Sequence, residues 1–186
     1  MTRDLKARNI TVGTKSFADS KQMEPWLAPL GRLAVDFGAL ELETYQWIDL
    51  VSEGMKADWA LGRRFKERVD RILELLPESI RDLELASQAR TIWKEALDTA
   101  KRRNQIFHSP LVFGYFTAEQ NGTPDVIAIP DIRQLRNSSL STMQFVTLND
   151  ICSLVDRIVA GVTELQALRG RMSSRAKLNA AGMSQS

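Results

Sequence analysis

The chain has 186 residues, 44% hydrophobic and 26% charged, the size of one domain and the balance of a folded chain rather than a disordered one. A single cysteine, Cys152, excludes an internal disulfide framework and any multi-cysteine zinc or iron–sulfur site, and a single histidine, His108, excludes a one-chain site that needs two imidazoles. With 25 Lys+Arg against 23 Asp+Glu the net charge is +2, so any case for nucleic acid rests on local clusters rather than bulk charge.

No run approaches the roughly 18 apolar residues that cross a bilayer, and the N-terminus has no secretory signal pattern; the expectation is a cytoplasmic protein with no membrane role. Residues 1–22 are polar and aperiodic, expected to be a flexible arm ahead of a helical domain at 23–172. From Pro29 to Glu53, Leu30, Leu33, Phe37, Leu40, Thr44, Ile48 and Val51 recur at spacings of three and four, the stripe of an amphipathic helix. Pro29 suits a first helical turn and Gly54 a stop. A second helix is expected over 57–76, with Leu61, Phe65, Val69, Ile72, Leu73 and Leu76 inward and Pro77 as its break. A third runs from Glu78 or Leu83 to His108, where Ser109-Pro110 ends it.

The period then changes. Residues 111–116 and 126–129 read as strands joined through Asn121-Gly122, a hairpin at about 111–130, with one more extended piece near Met143–Val146. The last helix starts at Thr147, where Thr-Leu-Asn-Asp forms a capping box with Asp150 in place of Glu. Its stripe is Ile151, Leu154, Val155, Ile158, Val162, Leu165 and Leu168, and residues 173–186 are expected to form a flexible tail. The architecture predicted is mainly all-α, a four- to five-helix bundle with a β-hairpin inserted before its last helix.

Polar residues at apolar positions carry the functional information, because an unpartnered buried polar group costs about 1–3 kcal/mol. On the third helix the stripe reads Trp93, Leu97, Ala100, Asn104, Phe107: Asn104 takes a core slot, His108 follows on the same side, and Arg103 is long enough to reach them. On the first helix Glu41 interrupts the stripe and is a candidate partner for Arg103 or His108, whereas Glu43 is expected to face solvent. Cys152 and the four tryptophans read as packing residues, and the runs Arg63-Arg64-Phe65-Lys66 and Arg169-Gly170-Arg171 as solvated faces.

The segment Arg103-Asn104-Gln105-Ile106-Phe107-His108, R-N-x-x-x-H at a helix end, resembles the signature of the HEPN superfamily, small helical bundles that include many metal-independent endoribonucleases. The resemblance implies Arg103 and His108 as the catalytic pair, with Asn104 beside them and Glu41 as the acidic residue of an earlier helix. It implies an RNase that needs no metal or other cofactor and cleaves RNA by attack of its own 2′-hydroxyl. A homodimer with its active site at the interface follows, where Lys101 and Arg102 meet RNA and Phe107 and Leu111 make apolar contacts. A toxin or phage-defence role, with an antitoxin or regulatory protein as partner, belongs to the same expectation. The alternative is a non-catalytic module of that type binding RNA, a nucleotide or a protein; a third reading is a plain structural bundle with the cluster sealed in its core.

Overall fold

The computed structural model describes residues 20–52, 59–79, 82–108, 112–114, 126–130 and 143–183. Its elements in chain order are helices α1 (Ser20–Val51), α2 (Phe65–Ser79) and α3 (Leu83–His108), strands β1 (Val112–Gly114), β2 (Val126–Pro130) and β3 (Met143–Thr147), and helix α4 (Leu148–Met183). The chain is mainly α-helical, as the periodicity predicts. No described helix is long and apolar enough to cross a membrane.

Two compact units divide these elements: Met1–Leu33 with Arg102–Val155, and Ala34–Lys101 with Asp156–Ser186. In the first, β1, β2 and β3 form one antiparallel sheet in that order, with Phe113 opposite Ile127 and Ile127 opposite Val146. The hairpin pairing holds, and the extended piece before the last helix is its third strand; the Asn121-Gly122 turn lies outside the described residues. Among the described residues of this unit, Trp26, Leu33, Ile106, Val146, Ile151, Leu154 and Val155 are buried apolar side chains. The capping box forms: Asp150 N donates to Thr147 Oγ1 at 3.1 Å, and Thr147 N donates to Asp150 Oδ2 at 2.8 Å.

α1 begins at Ser20 rather than near Pro29, so residues 20–22 of the expected arm are helical and Pro25 and Pro29 lie inside the helix; residues 1–19 fall outside the described part. An interior proline costs about 3 kcal/mol. Trp26 is fully buried beside them, and an indole removed from water contributes roughly 4–6 kcal/mol, which offsets much of that loss.

The second unit is a four-helix bundle. Its floor is the stripe predicted for α1 (Phe37, Leu40, Thr44, Ile48, Val51), with Val69, Ile72 and Leu76 from α2, Trp93 and Ala96 from α3, and Ile158, Leu165 and Leu168 from α4. Trp47 and Trp93 meet edge to face with centroids 6.0 Å apart, a preferred aromatic geometry. α2 starts later than expected: Trp59–Gly62 form a turn in which Gly62 adopts φ +75°, and Leu61 is exposed rather than inward. Pro77 does not break the helix, which closes at Ser79; so near the C-terminus its ring removes one bond from a turn already ending. α4 runs on to Met183, through the segment expected to be a flexible tail, where alanine, lysine and leucine favour helix. Cys152 is exposed, not a core residue, because Ile151, Leu154 and Val155 take the inward positions around it.

Two polar networks sit in this bundle. Arg68 of α2 is 4% exposed; its Nε donates to Thr44 Oγ1 at 2.7 Å, its Nη1 donates to the Arg63 carbonyl, and its guanidinium lies 4.5 Å from the Tyr45 ring centroid. Glu43 is 2% exposed: its Oε1 accepts from Gln166 Nε2 at 3.1 Å and its Oε2 faces Arg169 Nε at 3.4 Å. The expectation that Glu43 faces solvent is corrected by this burial, and the Arg169 run is not simply solvated. Glu41 and Glu43 stand two residues apart, about 200° around the helix, so where one turns inward the other turns away.

Candidate active site

α3 opens on Asp82, whose Oδ1 accepts from the backbone N–H groups of Glu84 and Leu85 at 3.1 Å each, an N-cap. It ends at His108, as the sequence predicts. Along its inward side Leu85, Ala89, Trp93, Ala96, Ala100 and Ile106 are buried. Arg103, seven residues after Ala96, continues that line and is half-buried, whereas Asn104, Phe107 and His108 are exposed. The core slot assigned to Asn104 therefore belongs to Arg103. An arginine stem can occupy apolar surface while its head group stays at the edge, which a strict apolar count overlooks.

The side chains of Arg103 and Asn104 come together. Arg103 Nη1 donates to Asn104 Oδ1 at 3.1 Å, and the guanidinium lies 4.7 Å from the Phe107 ring centroid. A hydrogen bond from one side and a ring face from the other fix the plane of the guanidinium, each contributing on the order of 1 kcal/mol. Phe107, expected as a dimer contact, is thus also the plate beneath Arg103; the i, i+4 spacing of the two residues is the signal that identifies it. Leu111 lies outside the described residues.

His108 is exposed on the last turn of α3, four residues after Asn104. Arg103 is half-buried and His108 is exposed, so the histidine itself is not sealed in a core. An imidazole can donate or accept a proton through its ring nitrogens, and arginine offers a planar fork that matches phosphate oxygens. Lys101 is exposed and Arg102 half-buried just before them, so the end of α3 concentrates cations.

Among the described residues the contacts of Glu41 are with Arg68 and Thr44. Glu41 belongs to the four-helix unit, where its Oε1 lies 3.6 Å from Arg68 Nη2 and its carbonyl accepts from Thr44 Oγ1 at 2.6 Å. Comparison of the chain with models of protein families, with curated proteins and with solved structures finds no match in any of the three.

Proposed function

We propose that the chain is a HEPN-type endoribonuclease that cleaves RNA by transesterification without a metal or other cofactor. The observation that carries this reading is the end of α3, where a guanidinium fixed by Asn104 and Phe107 and an exposed imidazole stand in the order R-N-x-x-x-H. The 2′-oxygen of one nucleotide attacks the adjacent phosphorus, the bond to the 5′-oxygen breaks, and the products carry a 2′,3′-cyclic phosphate and a 5′-hydroxyl. Charge builds on the non-bridging oxygens on the way. Arg103 meets it with two parallel N–H donors, and Asn104 is a positioning residue for that guanidinium. His108 takes the proton from the 2′-hydroxyl or gives one to the departing 5′-oxygen.

Both proton transfers are needed, and each chain supplies one histidine. A two-fold dimer that apposes two α3 ends supplies both from one cleft, with Lys101 and Arg102 of each chain along the RNA and the exposed Phe107 among the apolar contacts. In this reading Glu41 is a structural partner of Arg68 rather than a catalytic carboxylate.

The test is cleavage of a labelled RNA by wild type, Arg103→Ala and Arg103→Lys. Arg103→Ala is expected to lose at least about 100-fold in rate, the scale of removing one oxyanion donor, and Arg103→Lys to recover little, since a point charge cannot present the planar fork. A lysine variant cleaving at the wild-type rate would exclude the bidentate role. Binding of RNA without cleavage by the wild type would leave the non-catalytic module.

A further inference from the structure

α3 carries a second feature besides its terminal cluster. Arg90, Lys94 and Lys101 are exposed, and their spacings of four and seven put them on one ridge of the helix. Among the described residues none of the three enters an ion pair, hydrogen bond or ring contact. The cations of α2 differ: Lys66 pairs with Asp70, Arg71 with Glu74 and Arg68 with Glu41. A helix surface normally sets acids at i+3 or i+4 to meet such cations. On α3 those positions hold Trp93 and Lys94 after Arg90, Leu97 and Asp98 after Lys94, and Asn104 and Gln105 after Lys101, so Asp98 is the one acid among them. Asp98 flanks the ridge in sequence reach of Lys94 and Lys101, yet lies in no ion pair with either.

We infer that this ridge is a phosphate track for a single RNA strand, reaching the nuclease site through Lys101, which stands two residues before Arg103 in the chain. The inference rests on the ribonuclease reading and adds to it a substrate class, RNA with an unpaired stretch extending beyond the scissile bond. Arg90 to Lys101 spans about 17 Å at 1.5 Å per residue, a tract of a few nucleotides. No aromatic side chain interrupts the ridge, so it grips the backbone without reading bases, and binding is insensitive to sequence and sensitive to salt.

The experiment is fluorescence anisotropy with labelled 2′-O-methyl RNA, a strand that lacks the attacking hydroxyl, so that binding is read apart from cleavage. Arg90→Gln/Lys94→Gln is expected to weaken binding at least about tenfold at low salt and to lower the slope of log affinity against log salt by roughly 1.4, the value for two single-strand phosphate contacts. Asp98→Asn is expected to tighten binding, which a merely misfolded variant would not do. Arg64→Gln/Lys66→Gln, at the start of α2, removes the same charge elsewhere and is expected to bind within about twofold of wild type. Equal weakening by the α2 pair, an unchanged slope in the α3 pair, or binding of the ridge to phosphatidylserine vesicles but not to RNA would each overturn the track. Tight, ridge-dependent binding with no cleavage of matching 2′-hydroxyl RNA would instead remove the nuclease reading and leave the track standing.

Discussion

Replacing Arg169 with methionine tests the buried carboxylate of α1. Glu43 is 2% exposed, with Gln166 Nε2 at 3.1 Å from one oxygen and Arg169 Nε at 3.4 Å from the other. Methionine keeps much of the aliphatic stem and removes the countercharge, leaving the carboxylate with one neutral amide donor. Breaking a fully buried ion pair from one side costs about 3–5 kcal/mol. The Arg169 side chain is 32% exposed, so solvent already screens part of the pair, and about 2 kcal/mol is expected. For a chain of this size that loss lowers Tm by roughly 4–8 °C. Glu43→Leu combined with Arg169→Met removes both charges and is expected to return close to wild-type stability, because an apolar replacement of a buried pair is often neutral or stabilising. Urea unfolding followed by far-UV circular dichroism reads both variants. An Arg169→Met protein within about 0.5 kcal/mol of wild type, or a double variant as unstable as the single one, would show that Arg169 does not stabilise the Glu43 carboxylate.

Asn104→Leu is expected to cost no more than about 1 kcal/mol, the worth of the exposed bond to Arg103, while lowering RNA cleavage through the loss of that bond; thermal melting and a cleavage assay together check this, and a higher Tm would return Asn104 to the core. Thr147→Ala removes the hydroxyl that receives Asp150 N and is expected to cost about 1 kcal/mol in urea unfolding, the usual loss for an N-cap. A mixed dimer purified with one wild-type and one His108→Ala subunit is expected to cleave far below half the wild-type dimer rate. Activity at half would mean two independent sites.

The apolar stripes of α1 and α4 were legible in the sequence because a period of 3.6 repeated over many turns averages out single exceptions. Local conflicts were not. Pro25, Pro29 and Pro77 read as boundaries, but Trp26 holds its turn in place by burial and Pro77 sits where the helix is already closing. Polar side chains were the harder class. Glu41 and Glu43 are both paired, with Arg68 and Arg169, and it is these partners, distant in sequence, that let Glu43 be buried while Glu41 stays half-exposed. At the end of α3 the motif itself was readable, and so was its helix-terminal place. Which of Arg103 and Asn104 points inward depends on how far an arginine stem counts as apolar, and periodicity assigns that weight wrongly.

The most direct measurement of the central claim is the fate of a defined RNA incubated in EDTA with wild type and with His108→Ala, the product ends being identified by mass. Cleavage by the wild type is expected despite the chelator, with fragments ending in 2′,3′-cyclic phosphate and 5′-hydroxyl and a loss of about 100-fold or more in the variant, the scale of a general acid–base contribution. Intact RNA with the wild type, products ending in 5′-phosphate, or equal cleavage by His108→Ala would contradict the claim.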